Sequence, residues 1–82
     1  MNEMERIKQK VNRALDIPGI LAVDHYFTNA YTAGPFPLGD NIVISLEVEP
    51  HHWHQIGARL DWFMDLDEDG LRAFFTQIKE GN

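Results

Sequence analysis

Residues 41–49, Asn-Ile-Val-Ile-Ser-Leu-Glu-Val-Glu, alternate apolar and polar side chains over most of their length. Successive side chains of a β-strand point to opposite faces of a sheet, so Leu46 shares one face with the two isoleucines and Val48, while Ser45 and the glutamates share the other. An apolar face has to be covered by another layer of structure. The stretch therefore predicts a strand in a sheet that is buried on one side and solvated on the other.

A second strand is predicted over residues 20–31, which are rich in β-branched and aromatic side chains. Leu21, Val23, His25 and Phe27 share one face of this strand. The intervening residues 32–40 are dense in glycine and proline and are too long for a tight hairpin turn. The two strands are expected to form an antiparallel β-hairpin with a long connection.

Three amphipathic helices are predicted around this hairpin. Residues 3–15 carry apolar side chains at helical spacing and follow Asn2, a residue suited to an N-terminal cap. A second helix is expected to begin at Pro50, and a third follows Gly70. Their apolar stripes are Met4, Ile7 and Val11; Trp53, Ile56, Gly57, Leu60, Phe63 and Met64; and Leu71, Phe74, Phe75 and Ile78. The prediction is a single α+β domain over residues 1–82, of order α-β-β-α-α, with the hairpin packed against three helices.

The composition narrows the class of protein. The chain has 82 residues, no cysteine and a net charge of −6, so disulfides and thiolate metal sites are excluded. Residues 14–82 hold eleven of the thirteen acidic side chains. Direct nucleic-acid binding needs a basic surface, and this acidic body favours a protein partner with a basic surface instead. No run reaches the ~20 apolar residues of a membrane span and the N-terminus is unlike a signal peptide, which predicts a cytoplasmic protein.

A two-stranded sheet also makes a prediction about assembly. Such a sheet is marginal by itself and leaves strand edges unpaired. Helices can cover one face, and two copies can pair edge to edge. Both are expected, and a homodimer follows.

The acidic stretch Asp65-Leu66-Asp67-Glu68-Asp69-Gly70 resembles the first half of a calcium-binding loop. Thr76 stands where the bidentate glutamate should be, and Arg72 replaces a small aliphatic residue. Asp65 with Glu68 also forms a capping box for the last helix, where acidic residues favour the positive end of the helix dipole. The capping interpretation is preferred, and calcium is not expected.

Histidines give the alternative ion site. On a helix beginning at Pro50, His51 and His54 would face the same side and could share zinc or nickel, with His25 of the first strand as a third ligand. The competing interpretation is that His51 and His54 are solvated surface residues and that His25 is a hydrogen-bonded core residue. No cofactor is predicted otherwise.

Catalysis is not expected. The chain has no cysteine, and its one serine, Ser45, lies in mid-strand without a sharp nucleophile turn. Glycine loops of the nucleotide-binding kinds are also missing from the sequence.

The segment 32–40 is the predicted contact surface, because Phe36 and Leu38 alternate with prolines that limit its freedom. Phe36 could instead fold back over the core. Trp62 lies off the main stripe of its helix and is a further anchor candidate for a partner or a subunit interface. The sequence thus predicts a small acidic, non-enzymatic protein-binding or regulatory module, such as an adaptor, an inhibitor or an immunity-type protein.

Three short motifs, Ile17-Pro18-Gly19-Ile20, Leu46-Glu47-Val48-Glu49-Pro50 and His54-Gln55-Ile56, resemble the cytoplasmic C-terminal domain of cation-diffusion-facilitator transporters. The resemblance covers about residues 7–64. It implies an αββαβ metal-sensing dimer, although the segment 32–40 is longer here and a helix is predicted in place of the final strand.

Overall fold

The computed structural model describes residues 2–28 and 41–81 of the chain. They form a small α+β domain of order α-β-β-β-α-α, so the predicted fold class is confirmed. The elements are α1 (Glu3–Asn12, continued by a 3-10 turn Arg13–Asp16), β1 (Ala22–Thr28), β2 (Asn41–Glu49), β3 (His52–Arg59), α2 (Leu60–Asp65) and α3 (Glu68–Lys79).

The three strands form an antiparallel sheet of order β1-β2-β3, with β2 in the centre. Ile44 of β2 lies opposite His25 of β1 and Ile56 of β3. Ile42, Ile44 and Leu46 are fully buried, as their alternation predicted. The helices cover this face of the sheet.

The core is built from the buried face of β2 and the apolar faces of the helices. Its helical members are Ile7, Val11, Leu60, Phe63, Leu71, Phe74, Phe75 and Ile78, and Val23, Phe27, Ile56 and Ala58 pack against it from the outer strands. The opposite face of the sheet stays exposed, with Tyr26 and Trp53 on it.

The helix predicted from Pro50 is wrong over its first half, because residues 52–59 form β3. Pro50 and His51 instead make a two-residue turn between Glu49 and His52, and His51 has a left-handed φ of 65°. Proline suits the first position of such a turn as well as it suits a helix start. From Leu60 onward the predicted helix is confirmed as α2.

Helix ends are set by side-chain caps. The Asn2 side chain accepts a hydrogen bond from the Glu5 backbone amide at 2.8 Å, as predicted. Gly19 has a φ of 94°, a conformation that suits glycine, in the turn that follows the first helix. None of the described helices is long and apolar enough to cross a membrane.

Candidate functional site

Trp62 is the most prominent exposed aromatic side chain on the helical layer. It is 47% exposed on α2, and its ring meets that of Phe74 edge to face at a centroid distance of 5.2 Å. The Phe74 side chain is itself buried, which fixes the tryptophan against a rigid support. The predicted anchor candidate therefore lies at the surface with its ring held in place.

A groove runs between strand β3 and helix α3, and Trp62 stands at one end of it. It consists of two adjoining depressions that share Ile56. The first is lined by Ile56, Gly57, Ala58, Arg59, Trp62, Phe74 and Gln77, and the second by His54, Gln55, Ile56, Ile78 and Gly81. We call this surface the β3 groove. Phe74 and Ile78 at its floor are buried, whereas Ile56 and Ala58 are half-buried and Trp62 is half-exposed. The groove lies along β3, which is an outer strand of the described sheet.

Arg59 and Asp61 form an ion pair at the tryptophan end of the groove. Two guanidinium nitrogens of Arg59 donate to the two carboxylate oxygens of Asp61 at 3.1 and 3.0 Å. The Trp62 backbone amide donates to the same carboxylate at 2.7 Å. These hydrogen bonds hold the pKa of Asp61 below its usual range, and the bond from Arg59 makes the largest contribution. The lowered pKa favours the charged form of Asp61, and the charge of Arg59 is paired with it at this end of the groove.

The surface beyond Trp62 is strongly acidic. Residues 60–69 carry five carboxylates and no basic side chain. Asp67, rather than the predicted Asp65, caps α3 and accepts from the Gly70 amide at 2.8 Å, while Asp65 closes α2. The acidic stretch thus caps a helix as expected, two residues later than predicted.

Two basic side chains, Lys10 of α1 and Arg13 of the 3-10 turn that follows it, face this acidic junction. Arg13 places one guanidinium nitrogen 2.8 Å from each oxygen of Glu68, and Lys10 donates to the Leu66 carbonyl at 2.6 Å. Burial lowers the pKa of Lys10, and the nearby charges of Arg6 and Arg13 lower it further. The cluster ties α1 to the α2–α3 junction.

The structure does not place the predicted histidine ligands on one helix. His51 lies in the β2–β3 turn and His54 on the helix-facing side of β3, so they do not share a helix face. His25 lies on β1 with β2 between it and β3, and its ring packs edge to face on Phe27 at 5.5 Å. His52 and His54 are the pair that the strand brings together, with ring centroids 5.2 Å apart.

His54 binds the end of α3. Its Nδ1 lies 3.1 Å from the Ile78 carbonyl and 3.0 Å from that of Lys79. Carbonyl oxygens only accept, so Nδ1 carries a proton and only Nε2 is left to ligate a metal. Within the described ranges, no group of three or more His, Asp or Glu side chains is placed to hold an ion.

Phe36 and Leu38 lie outside the described residues, and their predicted contact role stays a prediction. The β3 groove itself was missed, because residues 52–59 were assigned to a helix. The signal that could have revealed it is the alternation of His54, Ile56, Ala58 and Leu60, which has the period of a strand.

Comparison with known proteins gave no family model, no curated protein and no solved structure that matches this chain. The element order also differs from the αββαβ order of the transporter domains that the sequence resembles.

Proposed function

We propose that the chain is a non-enzymatic protein-binding module that meets a basic partner surface with Trp62 and the acidic residues around it. The observation that carries the proposal is the half-exposed Trp62 ring, held edge to face on Phe74 beside an acidic segment. Rigid, partly exposed tryptophans are enriched among the residues that dominate binding energy.

Charge gives the surface its selectivity. The chain carries a net charge of −6, and residues 60–69 concentrate five carboxylates next to the tryptophan. Complementary charge accelerates encounter and rejects acidic competitors, while the apolar anchor holds the complex once formed. The partner is accordingly a protein that offers an apolar pocket ringed by lysine or arginine.

The test is affinity capture from native extract, followed by titration of the purified partner against variants. Trp62→Ala should weaken binding by about tenfold or more, the loss typical of a hot-spot residue. Tyr26→Ala is the control, because Tyr26 is 53% exposed on the opposite face of the sheet. Equal affinity for wild type and Trp62→Ala would contradict the proposal. Phe36→Ala and Leu38→Ala test the two predicted anchors of segment 32–40 in the same assay.

We also propose that the module is a homodimer formed through strand edges, as expected from the small sheet. Both outer strands of the described sheet, β1 and β3, offer an edge. Light scattering at micromolar concentration measures the mass, and a monomer would contradict this part of the proposal without touching the partner surface.

Transition-metal binding is the second candidate function, and the observation that favours it is the close pair of His52 and His54 rings. Calorimetric titration with zinc and nickel tests it. Binding through this pair would be lost in His52→Ala and kept in His51→Ala, whereas the predicted pair of His51 and His54 would give the reverse.

A further inference from the structure

We infer that the homodimer is held by β3, which pairs antiparallel with β3 of a second copy to make one continuous six-stranded sheet. This inference rests on the proposed dimer and adds which edge forms it, in which register, and what the assembly does to the partner surface.

The two outer strands differ in how their edges are protected. On β1, the Asp24 carboxylate accepts a hydrogen bond from the His25 backbone amide at 2.8 Å, so a side chain already occupies a main-chain donor of that strand. On β3, no side chain of the described part of the chain accepts from a backbone amide of residues 52–58. Free main-chain donors and acceptors on an edge are a template for another strand.

The composition of β3 also leaves its edge open. Natural edge strands are commonly blunted by lysine, proline or an inward charge. Residues 52–59 contain no lysine, no proline and no acidic residue, in a chain with thirteen carboxylates. The one permanently charged side chain, Arg59, lies against Asp61. Two copies of an acidic chain repel, and β3 is a strand along which they can approach without opposing carboxylates.

The register follows from two-fold symmetry. In antiparallel pairing, residues directly opposite each other point to the same face of the sheet. If the helices of both copies lie on one face, two-fold symmetry requires that one residue of β3 lies opposite the same residue of the second copy. With Ile56 at that position, two apolar side chains meet at the centre, and Ala58 lies beside the second copy's His54. Arg59 then lies beside the second copy's Trp53, a pairing of cation and aromatic ring that is itself attractive.

The β3 groove supplies the apolar burial. The helix-facing side chains Ile56 and Ala58 are only half-buried because nothing in the described part of the chain lies beyond them. An added strand places the same two side chains of the second copy alongside them. Each copy thereby covers the part of the other's groove beside Ile56 and Ala58, while Trp62 at the end of the groove stays outside the seam. The apolar surface removed from water drives the pairing.

The dimer also arranges the partner surfaces. Trp62 follows the carboxyl end of β3 by three residues. Because the two strands run in opposite directions, the two Trp62 side chains lie at opposite ends of the seam and on the same face of the sheet. The dimer is therefore bivalent, and a partner with two basic sites gains avidity from it.

Single introduced cysteines test the register directly, because the chain has none of its own. Ile56→Cys should form a disulfide-linked dimer on mild oxidation, because each new thiol lies opposite the same thiol of the second copy. Tyr26→Cys on β1 is the matched control and should stay unlinked.

A mixture of Gln55→Cys and Gly57→Cys is a second experiment, at exposed positions. A Cβ at Gly57 meets only the Val43 side chain, at 3.7 Å. In the proposed register this mixture links more than either protein alone.

Light scattering on the full wild-type chain separates the possible failures. A dimer that links through Ile56→Cys, or through the 55–57 mixture if that variant does not fold, supports the inference. A dimer that links through Tyr26→Cys, or through none of these positions, overturns the β3 interface and leaves the proposed dimer standing. A monomer at micromolar concentration overturns both, while partner binding by Trp62 is judged separately by capture and titration.

Discussion

Lys10 of α1 donates a hydrogen bond from Nζ to the carbonyl oxygen of Leu66 across 2.6 Å, and so joins the first helix to the junction between the last two. The same ammonium group lies 6.0 Å from the centre of the Phe63 ring. Leu66 is the C-cap residue of α2. One lysine therefore ties down the turn that presents the acidic surface next to Trp62.

Lys10→Met is expected to destabilise the protein at neutral pH. The change leaves the Leu66 carbonyl without its donor, and losing a hydrogen bond to a charged group costs about 1.5–3 kcal/mol. Urea unfolding measures the difference in the free energy of unfolding. Lys8→Met is the control, because Lys8 is exposed on the same helix. An unchanged stability in Lys10→Met would show that the contact contributes nothing.

The same variant carries a pH prediction. Burial lowers the pKa of Lys10 in the folded state, so just below the pKa of a free lysine the unfolded chain binds more protons than the folded one. Stability then rises with pH in that alkaline window. Relative to wild type, Lys10→Met should lack this rise, and Lys8→Met should keep it.

The sequence predicted the elements whose local pattern had one interpretation. In β2, the alternation of Ile42, Ile44 and Leu46 excludes a helix, and the strand has the predicted bounds. In β3, Trp53, Ile56 and Leu60 fit helical spacing, while Ile56 and Leu60 also fit a strand. Long-range pairing with β2 decides between the two, and local spacing does not contain that information.

The candidate site shows the same division. The exposure of Trp62 was recognisable because this residue lies off the apolar stripe of its own helix. The groove beside it depends on which strand is outermost and on how α3 packs across β3. Both features depend on tertiary structure, which the local sequence pattern does not contain. The contacts of His54 could not be predicted for the same reason, since its partners at Ile78 and Lys79 lie more than twenty residues away.

His54→Ala is expected to destabilise the protein by about 1–2 kcal/mol, because the Lys79 carbonyl at the end of α3 loses its side-chain donor. The Ile78 carbonyl keeps the hydrogen bond from the Gly81 backbone amide. Thermal unfolding followed by circular dichroism measures the loss. His52→Ala removes an exposed ring from the same face of the strand and should change stability little. Equal effects of the two substitutions would indicate that the ring contact, rather than the cap, matters.

Asp61 is expected to titrate below the usual range of an aspartate. The Arg59 guanidinium is the main cause of its lowered pKa, so Arg59→Gln should move the Asp61 pKa back up towards the ordinary value. Carboxyl-carbon NMR during an acid titration follows the group directly. A lowered carboxyl pKa stabilises the folded state above the ordinary value, and this contribution is lost as the pH falls through the folded pKa. If Asp61 titrates at the same pH in Arg59→Gln as in the wild type, the ion pair is contradicted.

The β2–β3 turn makes the last prediction. His51 has a φ of 65°, a left-handed conformation that costs an ordinary L-residue roughly 1–2 kcal/mol. Its backbone amide donates to the Glu47 carboxylate at 3.0 Å, so the conformation, rather than the side chain, is what the turn uses. His51→Asn should therefore match or exceed the wild-type stability, because asparagine tolerates this region well. His51→Val should be less stable by about 1 kcal/mol or more, since a β-branched side chain tolerates it poorly. Urea unfolding of the three proteins gives the order, and a valine variant as stable as the asparagine variant would show that the turn relaxes to a different conformation.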